Sequence, residues 1–133
     1  MKYVISYAAT LIAFVAVDLI WLGVVAKNFY RAQLDDLLAE KYNFGAAALF
    51  YLAYPLGVVV FAVVPAFASG SWLEAAAWGA FLGLFAYGTY DLTNLATLRN
   101  WPLRLTVIDL LWGTVLTAFA AACGQLAVNG IWY

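Results

Sequence analysis

An all-α membrane bundle is what this chain predicts, and three observations predict it. Of its 133 residues, 68% are hydrophobic and only 10% charged, with a mean hydropathy of +0.93; soluble domains run at roughly 45–50% apolar and about 25% charged. The apolar residues gather in four runs, 3–26, 45–68, 72–98 and 101–128, each long enough for a hydrocarbon core of ~30 Å. Between the first two runs, 28–42 is charged and amphipathic. The expectation is one membrane domain over 1–133: a four-helix transmembrane bundle with an interfacial helix between spans one and two.

The first run follows Lys2 and holds one charge, Asp18. It is longer than the apolar core of a signal peptide, about 7–15 residues, and no small-residue cleavage pattern follows it, so it is expected to stay as a helix. Next, Lys27, Arg31, Asp35, Asp36, Glu40 and Lys41 are interleaved with Tyr30, Leu34, Leu37 and Leu38 at helical spacing. That pattern suits a helix lying in the interface, apolar side toward acyl chains.

The second span has no charge, and Pro55 sits mid-run with Tyr51 one turn before it. Proline removes a backbone donor, so a kink is expected there. Pro65 and Ser69-Gly70-Ser71 close the span. The third opens at Trp72 beside Glu74 and carries Gly79, Gly83, Tyr87 and Asp91 in steps of four; glycines so spaced let another helix approach, which points this face at protein. Asn94 extends the same side.

Arg99-Asn100-Trp101-Pro102-Leu103-Arg104 reads as a tight basic turn, with Pro102 suited to a helix start. The fourth span carries Thr106, Asp109, Gly113 and Thr117 along one face, turns small and apolar through 118–122, and ends at Trp132-Tyr133.

Composition also excludes. A net charge of −1 argues against nucleic acid, and a single Cys123 with no histidine leaves no intramolecular disulfide and no ligand set for zinc, haem or iron–sulfur. No cofactor is expected. An enzyme is the weakest reading, since two carboxylates could serve as acid and base but there is no phosphate loop, metal set or accessible thiol. Lys27, Arg31, Lys41, Arg99 and Arg104 all fall in the first and third connections, which the positive-inside rule makes cytoplasmic, with both termini outside. Tyr3, Tyr7, Trp72, Trp132 and Tyr133 would then form an outer aromatic belt, and Tyr30, Tyr42, Phe44 and Trp101 an inner one.

The polar centre is Tyr87-Gly88-Thr89-Tyr90-Asp91-Leu92-Thr93-Asn94-Leu95-Ala96-Thr97, together with Asp18 and Asp109. Asp18 lies nine residues before Lys27, Asp91 eight before Arg99 and Asp109 eight after Trp101, so each is ~12–14 Å below the cytoplasmic surface. An intramembrane carboxylate costs at least ~2.5–3.5 kcal/mol on insertion scales, so it is expected to be buried, paired or functional. Trp21 and Trp112 follow Asp18 and Asp109 at i+3 and share their helix faces. Val17-Asp18-Leu19-Ile20-Trp21 and Ile108-Asp109-Leu110-Leu111-Trp112 look alike, yet run in opposite directions through the membrane. Three carboxylates brought close cannot all stay ionised without a cation, which is the basis for proton or cation coupling. The same acids could instead lock the bundle by bonding Tyr, Thr, Asn and Trp groups, or Arg99 and Arg104.

Asp18-Leu19-Ile20-Trp21-Leu22-Gly23, Tyr54-Pro55-Leu56-Gly57, the Tyr-Asp-Leu-Thr-Asn string ending at Asn94, and Trp101-Pro102 together resemble the bacterial predicted membrane proteins of the domain-of-unknown-function 2177 family, over nearly the whole chain. The resemblance implies a small four-helix protein of the bacterial inner membrane and carries no activity. In size and buried acids the chain is also similar to small multidrug-resistance transporters, but their first-helix Glu motif is absent.

Two functions remain. One is a proton- or cation-linked transporter or small-ligand-binding protein using Asp18, Asp91, Asp109, Asn94, Tyr87, Tyr90, Trp21 and Trp112, with Gly79, Gly83, Gly113 and Pro55 shaping the helices. The other is an accessory subunit, or a lipid-, quinone- or isoprenoid-handling component, with structural acids. Membrane lipids and a homodimer or larger membrane complex are the expected partners.

Overall fold

The computed structural model describes residues 1–132; Tyr133, assigned from the sequence to the outer aromatic belt, lies outside the described residues, as does the side chain of Trp132. Among the described residues all regular structure is helical. Helix α1 (Lys2–Ile20) runs on into a π-helical turn, Trp21–Val25, closed by the Ala26 N–H donating to the Trp21 carbonyl at 2.7 Å. Such wide turns recur at functional sites, and this one carries Trp21 and Leu22 toward the polar centre.

Helix α2 (Lys27–Leu34) is shorter than the 28–42 expected. At Asp35 the backbone takes a positive φ of 40°, a single 3₁₀ turn Asp35–Leu37 follows, and the chain then runs irregularly to Asn43. Adjacent Asp35 and Asp36 at a helix C-terminus oppose its dipole, which accounts for the early stop. Phe29, Tyr30, Gln33 and Leu34 are its half-buried face.

Asn43 starts α3 (Phe44–Val58) by accepting from the Ala46 N–H at 3.0 Å. The helix passes through Pro55 without interruption, and the regular ladder gives way only at the π-helical turn Val59–Val63 before α4 (Val64–Ala66). That turn falls ahead of Pro65, which has no N–H to offer the Phe61 carbonyl inside it.

Helix α5 (Trp72–Thr97) is capped by Ser71, which accepts from the Glu74 N–H at 3.2 Å, after a turn through Gly70 at φ 67°. A second tight turn at Asn100, φ 63°, leads to α6 (Leu103–Trp132). Thr106 steadies the start of α6, its Oγ1 donating to the Pro102 carbonyl at 3.0 Å and accepting from Trp101 Nε1 at 3.1 Å.

Among the described residues three stretches are long and apolar enough to cross a membrane: Lys2–Val25, Phe44–Ala66 and Leu103–Ile131. Helix α5 is not among them, because its glycines, tyrosines, threonines and Asp91 dilute its apolar content. The spans present Ile12, Leu19, Leu49, Phe61, Leu111 and Val115 outward, the surface a lipid-bathed protein shows.

Helix α6 is the central post, with α5 along one side and α1 along another; α3 closes against α1, and the wide turn after it reaches α5 and α6. Phe14, Leu116 and Ala120 form one buried cluster under Tyr51, Tyr54 and Trp112, and Val58, Ala62, Val63, Ala66, Ala75 and Ala121 form another.

The α5–α6 contact is backbone-close. A Cβ on Gly79 would lie 2.7 Å from the Thr117 carbonyl oxygen, one on Gly83 would strike the Gly113 carbonyl, and one on Gly113 would enter the Tyr87 ring. The glycine stripe thus faces protein. On the other flank of α6, Gly124 plays the same part, since a Cβ there would collide with Thr10 Oγ1 of α1.

Gly83→Ala should lower the unfolding midpoint in detergent, by an amount equivalent to about 1–3 kcal/mol. Gly57→Ala, with nothing within 4 Å of the added methyl, should be neutral or slightly stabilising because alanine is the better helix former. Equal effects from the two would show that α5 and α6 do not meet at Gly83.

Candidate functional site

At the α2 end of the bundle lies a cavity of about 370 Å³. Its acids are Asp18 from α1 and Asp109 from α6, and its walls are aromatic: Tyr30 from α2, Phe50 from α3, Tyr87 and Tyr90 from α5 and Trp112 from α6, with Leu22 and Ala86 filling between them. Four long helices and the short amphipathic one therefore share a single hollow. The polar atoms at its walls come from carboxylates and phenols, so the cavity offers negative charge inside an otherwise aromatic lining.

Each acid meets different partners. Asp18 Oδ2 accepts from the Tyr51 hydroxyl at 2.6 Å and Oδ1 accepts from Trp112 Nε1 at 3.0 Å. Asp109 Oδ1 accepts from the Tyr30 hydroxyl at 2.7 Å, and that hydroxyl accepts from Trp21 Nε1 at 3.2 Å. The two indoles stack, with ring centroids 4.2 Å apart and planes 10° apart. Trp21 and Trp112 share helix faces with Asp18 and Asp109, yet their N–H groups serve the opposite helix's acid. The indole of α6 holds the acid of α1, and that of α1 reaches the acid of α6 through Tyr30.

Tyr30 departs from its assignment to an inner aromatic belt. It dips from α2 into the cavity, and burial, followed by the charge of Asp109, raises its titration above the ordinary phenol range. It therefore stays protonated and donates. Tyr51 had been noticed only for standing near Pro55; its hydroxyl is the shortest bond Asp18 has. Tyr30 was concealed because nothing in spacing says that a residue of an interfacial helix turns inward, and Tyr51 because its partner lies on another span.

Asp91 does not line the cavity. It is 0% exposed, both carboxyl oxygens lack a hydrogen-bond partner among the described residues, and it faces Asp109 from the α5 side. Asn94 is half-buried on the next turn of α5 and does not line the cavity. Tyr90 sits at the rim, packed edge-on against Trp101 at 5.6 Å between ring centroids. Above the cavity, Tyr54 shares a hydrogen bond of 2.9 Å with Thr117 and packs on Tyr87. Pro55 is buried in α3 and Gly113 under the Tyr87 ring, so both shape the site without reaching it.

Among the described residues no group of three or more His, Cys, Asp and Glu side chains is placed to hold a metal ion.

The family model described as "Predicted membrane protein (DUF2177)" matches residues 3–126, and the chain belongs to that family. No curated protein and no solved structure matches it.

Removing the donor and the acceptor of the α2 latch, singly and together, measures how tightly α2 is held. In a double-mutant cycle of Tyr30→Phe and Asp109→Asn, followed by unfolding in detergent, a coupling of about 1–2 kcal/mol is expected. Additive effects would mean that the Tyr30–Asp109 bond does not form in the folded protein.

Proposed function

We propose that this member of the family is a small four-span protein of the bacterial inner membrane whose acidic, aromatic cavity binds a small cationic ligand with an apolar or aromatic body, in linkage with protons. One observation carries the reading: Asp18 and Asp109, from different helices, open into the same hollow with five aromatic side chains around them. Anionic oxygens attract the positive group, and ring faces take the rest by dispersion and cation–π attraction. Asp91, Asn94 and Trp21 support that wall from behind.

Four spans are favoured by the partnership of α5 with α6. Helix α5 has 26 residues, or ~39 Å at ~1.5 Å per residue, more than a hydrocarbon core. It lies along α6, which is itself apolar enough to cross, and the connection between them is five residues. A helix packed along a spanning neighbour spans with it; Gly79, Gly83, Tyr87 and Asp91 lie on its inner side, while Thr89, Thr93 and Thr97 are exposed and donate to carbonyls of their own helix. The amphipathic α2 then lies at the cytoplasmic interface with Lys27 and Arg31, and both termini are periplasmic.

A lipid- or isoprenoid-handling role, alone or within a larger complex, has its own support in a groove of about 300 Å³ lined by Trp21, Ile108, Leu111, Trp112 and Val115. There the acids would be structural. Recovery from native membranes in a stoichiometric complex would favour that role.

Two measurements test the main reading. A C-terminal fusion to alkaline phosphatase should be active and one to green fluorescent protein dark; the reverse would place the C-terminus in the cytoplasm and break the four-span topology. In phosphatidylcholine nanodiscs, tetraphenylphosphonium should quench tryptophan fluorescence saturably, and Asp109→Asn should weaken its binding at least about tenfold, or ~1.4 kcal/mol. Equal binding by Asp109→Asn would remove the cavity from the account.

A further inference from the structure

The three acids do different work. Asp18 has both oxygens occupied, one by a hydroxyl and one by an indole N–H, so its donors are already in place. Asp91 is the opposite case: wholly enclosed, with neither oxygen bonded among the described residues and the carboxyl of Asp109 in front of it. Two ionised carboxylates are acceptors only and cannot bond each other. One proton between them turns one into a donor and satisfies Asp91 at once.

The surroundings offer no other solution. On its own helix Asp91 has Tyr90 beside it, and α6 presents Asp109; the cavity's other bonded groups are committed elsewhere, Tyr30 to Asp109 and Asp18 to Tyr51 and Trp112. Among the described residues no lysine or arginine bonds either Asp91 oxygen. A bare carboxylate left in that enclosure would carry the full cost of an unpaired buried charge.

We propose that Asp91 and Asp109 form one proton site, holding a single proton between their carboxyls, and that a cation entering the cavity exchanges for it. This deepens the cation-binding reading and rests on it for the exchange step, while the shared proton stands on the geometry alone. Asp109 is the member that meets the cation, since it lines the cavity; Asp91 is a positioning residue that holds the proton from behind. In the exchange the acid O–H bond breaks, its electron pair stays on the carboxylate, and the proton leaves to water at the cavity mouth. The cation takes over its charge, so the charge of the enclosure is the same before and after and no electrons are transferred.

The test has a ligand-free arm and a ligand arm, both on the full chain in nanodiscs at neutral pH. Infrared spectra without ligand should show the C=O stretch of a protonated carboxyl, shifted in deuterated water, lost in Asp91→Asn and kept in Asp18→Asn. Asparagine is isosteric and its amide can donate to Asp109, so the fold should persist; an unchanged helical circular dichroism spectrum and melting curve verify it. With a pH dye in weak buffer, tetraphenylphosphonium should release about one proton per cation bound in the native protein and none in Asp91→Asn. Absence of the carboxyl band, or its survival in folded Asp91→Asn, overturns the shared proton. Binding without proton release overturns the exchange. If the cation fails to bind while the band behaves as described, the cavity reading falls with the exchange, and the shared proton stands.

Discussion

The bonds to Asp18 hold the site end of the molecule together. A carboxylate in the membrane interior costs several kcal/mol unless donors are brought to it. Here the relief comes from two donors on two other helices, Tyr51 of α3 and Trp112 of α6. Charge-assisted bonds of this kind contribute about 1.5–3 kcal/mol each, enough together to offset the insertion cost and to fix three helices at one depth. Once α1, α3 and α6 meet there, Trp112 is oriented, Trp21 stacks on it, and Tyr30 is drawn in from α2. The cavity is what remains between these groups and α5.

The opposite end of the bundle uses polarity differently. Gln125 of α6 donates to Asn129, and Asn129 donates to the Gly70 carbonyl in the turn before α5. Ser69 and Glu74 bond each other across the same turn. Nearby, Gly124 lets α1 approach until Thr10 touches the α6 backbone, and the aliphatic cluster around Val63 and Ala121 fills the gap. These bonds fasten loops to helix ends. The cavity, with its two acids and aromatic walls, is at the α2 end.

How far the sequence showed this depends on the range of the interaction. Helix positions and the glycine face of α5 were legible because they rest on local periodicity and on a size rule that holds whatever the partner. Depth arithmetic placed all three acids in one hollow; the structure puts Asp18 and Asp109 on its wall and leaves Asp91 buried outside the lining. Partner identity was not legible. The i+3 spacing of Asp18 with Trp21 and Asp109 with Trp112 suggested pairs within a helix, yet the two similar strings run antiparallel and each indole reaches the other string. Tyr30 and Tyr51 were hidden for the same reason, since a hydroxyl 79 or 33 residues away in sequence leaves no periodic trace. The wide turn Val59–Val63 ahead of Pro65 is a third instance: proline marks a lost donor, and where the ladder widens depends on what the neighbouring helices can accept.

A purely structural lock and a working site would be expected to treat their acids differently, and that difference bears on the choice between them. A lock satisfies each acid with donors of its own, as Asp18 is satisfied. Asp109 and Asp91 depart from that economy: one donor, Tyr30, arrives from a short helix that ends at Leu34, and nothing but the facing carboxyl is left for Asp91. Holding two acids with one phenol leaves a proton to complete the arrangement, and a proton can be given up where a phenol or an indole cannot. Asp18 keeps the bundle in register throughout, so any change at the Asp91–Asp109 pair can be confined to α2 and the cavity mouth while the spans stay where they are.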